Sequence, residues 1–186
     1  MRGRDLAKAY VNNGGDIALH LAQGHALTLG VVNNVDNPAI DAKVRLDAAM
    51  PVRGLATSGW RGRSQSLGIA DAVTVFAADA AAADAAATMI ANAVNVEHQA
   101  ISRLPARSVR SDSDLGYLSV TVAVGALPAG RRAEALATGC ARARDLQRRG
   151  LIHAAYLALQ GDTRAVLPAG NLVEQRACRT AVAWRS

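Results

Sequence analysis

Aromatic side chains are scarce in this sequence: two tryptophans, three tyrosines and one phenylalanine in 186 residues. The core must therefore come from Ala, Val, Leu and Ile. Alanine packs small, so elements must approach closely or leave room for a ligand. The same scarcity removes the stacking platforms on which single-stranded nucleic acids are held. Cysteine is almost as rare. Cys140 and Cys178 make neither a disulfide framework nor a metal-ligand pattern, and a reducing cytoplasm is the setting they fit. Lysine is confined to Lys8 and Lys43. No uncharged apolar run is long enough to cross a bilayer, because the alanine-rich stretch 77–91 is broken by Asp79 and Asp84. The first eight residues are charged and lead into a polar turn, which does not read as a secretory signal.

What is present is apolar and basic. The chain is 51% hydrophobic with a formal net charge of +6, enough to bury the core of one ordinary domain. A basic balance suits nucleic acid, a membrane surface or an anionic small molecule. The arginines are spread along the chain, with one cluster at 142–149, and this distribution reads as a solvated face.

Residues 4–9 read as the end of a helix whose beginning precedes Met1, so the chain reads as N-terminally truncated. Strands are expected over 9–12, 17–21, 26–32 and 39–50, with a loop over 33–38. Residues 51–57 lead into a Gly/Ser-rich loop over 58–64. A buried strand over 72–77 precedes a helix over 79–96, for which Asp79 is a good N-cap. The stretch 95–113 reads as irregular, 118–124 as a β-branched strand, 128–149 as a long helix ended by Gly150, and 152–160 as a returning strand. One domain over 1–165 and a C-terminal tail over 166–186 follow, of α+β class with a layered sheet and packed helices.

Three constellations carry candidate chemistry. Asn12, Asn13, Gly14, Gly15 and Asp16 follow a strand; paired glycines let a ligand approach bare amides. On spacing alone this is a turn, which does not exclude a site. Thr57, Ser58 and Gly59, followed by Arg61 and Arg63, offer hydroxyls, amides and forked cations to phosphate oxygens. The competing reading is a solvated basic loop. Asp84 and Thr88 stand one helical turn apart on a single face, a spacing that can serve Mg²⁺ together with waters and substrate phosphates. Taken singly, they read as a solvent-facing carboxylate and a hydroxyl bonded back to its own helix. Asp71 reads as a cap or an arginine partner. The four histidines lack metal-ligand spacing.

In this order the runs Asn13-Gly14-Gly15-Asp16, Thr57-Ser58-Gly59 and Asp84-Ala85-Ala86-Ala87-Thr88 resemble the ApbE flavin transferases. The longer runs 54–59, 66–75 and 114–116 look like an ApbE-related family of uncharacterised proteins. The resemblance covers most of 5–160. It implies a T-fold-like α+β domain that binds FAD and Mg²⁺ and is related to FMN transfer onto a threonine of an acceptor protein. It makes Asn13, Gly14, Gly15, Asp16, Thr57, Ser58 and Gly59 flavin-site residues, and Asp84 and Thr88 metal ligands. Arg61 and Arg63 are added as diphosphate clamps from their charge alone. Where that family carries a histidine after the Thr-Ser-Gly loop, this sequence has none. The alternatives are a flavin- or nucleotide-binding module without chemistry and a basic protein that touches nucleic acid. Alanine-rich helices and exposed apolar surface fit a homodimer.

Overall fold

A computed structural model describes residues 6–31 and 42–168. Among the described residues ten strands and three helices follow one another: β1 (Lys8–Asn12), β2 (Ile17–Leu21), β3 (Ala26–Val31), β4 (Ala42–Asp47), β5 (Gly54–Ser58), β6 (Ala72–Ala77), α1 (Ala80–Ala93), β7 (Ile101–Pro105), α2 (Ala106–Val109), β8 (Ser119–Val124), α3 (Ala129–Arg148), β9 (Ala154–Leu159) and β10 (Asp162–Val166). Six of the strands form one sheet in the order β1-β2-β5-β6-β9-β10, and every neighbouring pair is antiparallel. Two ribbons, β3-β4 and β7-β8, stand apart from it. The chain is of the α+β class expected from its sequence.

Strand alternation divides the core in two. Ala56, Val73, Val75, Ala77, Ala155 and Leu157 face the helices and pack with Ala83, Ala87, Ile90 and Ala91 of α1 and Leu136, Cys140 and Leu146 of α3. Leu55, Phe76 and Ala154 face the other way. They meet Leu19 and Leu21 of β2 and, from the β3-β4 ribbon, Val44 and Leu46. The scarcity of large side chains shows where α1 meets β5. A Cβ on Gly54 would lie 1.9 Å from the backbone carbon of Asp79, so bare glycine lets the helix start directly on the strand.

Asp79 caps α1 as expected: its side chain accepts from the Ala82 amide at 2.8 Å, worth about 1 kcal/mol. The long helix α3 ends where Gly150 predicts. Gly150 donates to the Gln147 carbonyl and Leu151 to that of Leu146, pairing two carbonyls the helix leaves open.

Several expectations are corrected. Residue 8 is strand, not helix end: the strand expected from Ala9 begins one residue earlier, with Lys8 paired to Leu21 and Ala9 to His20. The β5 strand occupies 54–58, where a lead-in to a loop was expected. The stretch read as irregular contains β7 and α2. Residues 162–166, where no strand was expected, form β10, which takes in the first residue of the expected tail. The loop expected over 33–38, and all but the first residues of the tail expected over 166–186, lie outside the described residues.

Candidate functional site

The turn between β1 and β2 is built by Asn12, whose Oδ1 accepts from the amides of Gly14 (3.0 Å) and Gly15 (3.2 Å). The Asn13 amide closes it onto the Asp16 carbonyl at 2.9 Å. Gly14 and Gly15 have φ of 70° and 141°, a conformation open to glycine at little cost. The next residues enter β2, which joins β5 through Ile17–Leu55 and Ala18–Gly54. That register sets the turn beside Thr57: a Cβ on Gly15 would lie 3.8 Å from the Thr57 carbonyl oxygen.

The α1 helix crosses the same strand. Ala83, Ala86 and Ala87 face the sheet, leaving Asp84 and Thr88 on the exposed strip one turn apart. Asp84 is near enough to Asp16 to act on its charge. The Asp16 carboxyl is raised above its ordinary value first by burial and then by the Asp84 charge, while Arg63 pulls it down. Arg63 reaches the turn from the loop after β5, and its Nη2 donates to the carbonyls of Asn13 and Gly14, both at 3.4 Å.

Gly14, Gly15, Asp16, Arg63 and the Thr57 backbone therefore meet at one place, within reach of the Asp84 charge. The other expected site residues are disposed differently. The Thr57 hydroxyl shares a hydrogen bond of 2.8 Å with Thr74 and, being in phase with Leu55, lies on the sheet face away from the helices. Ser58 is half-buried and Gly59 buried, the latter backed by the Asp71 carbonyl.

Arg61 turns to Asp71, its Nε 3.0 Å from Oδ1, and its guanidinium stacks over Trp60 at 4.8 Å. Asp71 also accepts from Trp60 Nε1 at 3.2 Å and from the Gln160 amide, so it anchors the loop to the turn between β9 and β10. Replacing Asp71 by alanine should cost about 2–4 kcal/mol, since three donors lose a charged acceptor. Thermal unfolding and a red shift of Trp60 fluorescence would measure it.

Sequence reasoning missed Asn92, whose Oδ1 accepts from Ser66 Oγ and the Leu67 amide and so fixes the far end of the same loop. The signal was there: Asn92 is the one amide side chain in an alanine-rich helix.

Among the described residues no three His, Cys, Asp or Glu side chains converge as metal ligands. Asp16 and Asp84 supply two carboxylates. That donor set fits Mg²⁺, which binds through one or two carboxylates and completes its shell with waters and phosphate oxygens. It does not fit a closed zinc site.

The pair also leaves a mark on stability. A raised folded-state pKa means the folded protein holds the proton more tightly than the unfolded one. Stability then falls as pH rises from the ordinary aspartate value through the raised one. Asp16→Asn should accordingly raise the melting temperature of the ligand-free protein at pH 7, and the gain should vanish in acid, where both states are protonated. Calorimetry at a series of pH values reads this directly.

The fold and site define an antiparallel α+β domain with a carboxylate and glycine cluster at one end of its main sheet. Residues 1–165 match the family described as AbpE bacteria, and the chain belongs to that family. Curated relatives are UPF0280 proteins from archaea. One from Methanothermobacter thermautotrophicus is 40% identical over 96 residues, 51% of this chain and 36% of the relative. One from Methanocaldococcus jannaschii is 40% identical over 82 residues, 44% and 34% of the two chains. A third, from Methanoculleus marisnigri, is 35% identical over 120 residues, 63% and 46%. The matched segments span between a third and a half of these relatives. These matches correct the resemblance drawn from the motifs: the chain groups with UPF0280 proteins and not with the FAD-dependent FMN transferases. The Gly-Gly-Asp, Thr-Ser-Gly and Asp-x-x-x-Thr runs of this chain are too short to assign a family by themselves. No described helix is long and apolar enough to cross a membrane.

Proposed function

We propose that this domain binds the diphosphate of a flavin or nucleotide, FAD being the probe of choice, as its complex with a divalent cation such as Mg²⁺. What supports the reading is that Asp16, on the strand side of a glycine turn, feels the charge of Asp84 from α1, while Arg63 lies against the same turn. Two carboxylates close enough for one charge to act on the other repel, and a shared cation would relieve that repulsion. Asp16 and Asp84 would hold the ion, with the Thr88 hydroxyl one turn along the same strip of α1. When bound, Mg²⁺ neutralises charge on a diphosphate. The turn contributes position, since Asn12 already holds its backbone in shape and little ordering remains for the ligand to impose.

FAD fluorescence titrated with protein tests this, with Mg²⁺ and with a chelator in its place. Saturable quenching that requires Mg²⁺ is expected. No quenching in the presence of the ion removes the flavin reading. A threonine-containing acceptor peptide in the same incubation separates binding from FMN transfer, because only transfer leaves flavin on the peptide.

A further inference from the structure

We infer that Arg63, and not Arg61, receives the phosphate of the bound ligand, and that it does so by leaving the carbonyls of the β1–β2 turn. The inference rests on the diphosphate reading above and adds the residue that recognises the anion and the form in which the anion arrives. The sequence offers two arginines in one loop, with nothing to choose between them. Their surroundings do choose.

Arg61 is occupied. Its Nε pairs with Asp71 at 3.0 Å and its plane lies over Trp60. Asp71 is only 12% exposed. Withdrawing Arg61 would leave a largely buried carboxylate short of its cation, which is costly. Arg63 is exposed, and no carboxylate among the described residues lies within ion-pair distance of it. Its contacts to the Asn13 and Gly14 carbonyls, at 3.4 Å, are at the long end for hydrogen bonds. Both carbonyls belong to exposed residues and can turn to water when the guanidinium leaves. A guanidinium carries five donors in a planar fork that matches phosphate oxygens, and among the described residues only Nη2 of Arg63 has protein acceptors.

The site also limits the form of the anion. Arg63 lies against the turn that leads into Asp16, and Asp16 feels the charge of Asp84 as well as that of Arg63. A bare diphosphate approaching this arginine meets two carboxylates and is repelled. Once a divalent cation neutralises them, the same approach becomes attractive. The ligand class is therefore a diphosphate carried as its metal complex. The glycine at 14 belongs to the same device: a Cβ there would stand 2.7 Å from Arg63 Nη2, so the guanidinium lies against bare backbone.

Calorimetric titration with inorganic pyrophosphate, in Mg²⁺ and in its absence, tests the assignment. The proteins are the wild type, Arg63→Ala, Arg63→Lys and Arg61→Ala, each first shown to be folded at the working temperature. Wild type should bind pyrophosphate only with Mg²⁺. Arg63→Ala should weaken that binding by about tenfold or more, the weight of a charge-assisted fork. Arg63→Lys should fall between the two, because it keeps the charge and loses the fork. Mg²⁺ titrated alone should bind Arg63→Ala at least as tightly as wild type, since a neighbouring positive charge has gone. Arg61→Ala should melt at lower temperature yet bind Mg²⁺–pyrophosphate within about twofold of wild type, because Arg61 stays with Asp71 throughout. Unchanged pyrophosphate affinity in Arg63→Ala, or an equal loss in Arg61→Ala, overturns the assignment and leaves the diphosphate reading standing. Failure of the wild type to bind Mg²⁺–pyrophosphate removes both.

Discussion

Alanine in place of Gly54 should destabilise the domain by about 3 kcal/mol or more, the upper range for forcing atoms into a packed interior. The new Cβ would stand 1.9 Å from the Asp79 carbonyl carbon, 2.0 Å from its oxygen and 2.2 Å from the Ala80 nitrogen. These are backbone atoms at the start of α1, and no rotamer change moves them aside. The helix must lift from β5, and Ala83 and Ala87, which rest on the sheet with no exposed surface, lift with it. In a domain of this size the loss corresponds to a fall in melting temperature of roughly 10 °C. The same substitution at Gly130, which lies in the first turn of α3 with nothing within 4 Å of its Cβ position, should instead stabilise by about 0.5–1 kcal/mol. Scanning calorimetry on the two variants compares them directly, and a mild effect at Gly54 would show that α1 and β5 are not packed as closely as described.

Gly54 shows what kind of information the sequence withholds. It stands in the run Gly54-Leu55-Ala56-Thr57-Ser58-Gly59, where it looks like loop glycine. Its reason is a contact with a helix 25 residues further on, which no local pattern announces. The elements that could be read carry their cause within themselves. Residues 72–77 are apolar and β-branched enough to be a buried strand. The α1 helix has alanine for propensity and Asp79 for a cap.

The missed elements depend on distant pairing. Residues 4–9 are good helix formers, yet Lys8 and Ala9 extend because Leu21 and His20 lie opposite. The β7 strand ends in Pro105, which argues against a strand anywhere but an edge; its ribbon is two-stranded with a register shift at Ser102–Arg103. The hairpin from β9 to β10 turns on Gln160 and Gly161, with φ of 46° and 84°. Both are positive, as a two-residue turn with the right twist requires, and glutamine gives a much weaker signal for it than asparagine.

The candidate site divides along the same line. The Gly14–Gly15 turn was legible because its holder, Asn12, is two residues away. The convergence of Asp16 with Asp84 was not, because it arises from β2 pairing with β5 and from α1 crossing β5. Arg61 and Arg63 could not be told apart before Asp71 was seen to hold the first.

Removing the Asp84 charge should produce the largest functional effect. Asp84→Asn is expected to weaken Mg²⁺-dependent FAD binding by about 100-fold or more, exceeding the 10–100-fold typical of a supporting residue. The amide keeps the size of the side chain and its place on an exposed helix strip, so folding should be spared. Loss of binding then reports the missing charge. Thr88→Val should cost less, since a neutral hydroxyl contributes little to a hard cation compared with a carboxylate. The pH dependence fixes the sign independently. Mg²⁺ needs Asp16 deprotonated, so wild-type affinity should fall as pH drops through the raised Asp16 value. In Asp84→Asn one of the two causes of that rise is gone, and whatever affinity remains should persist to lower pH than in the wild type. A variant that binds weakly with an unshifted acid limb would mean that the two carboxylates act on separate ligands, and a shared cation between them would have to be abandoned.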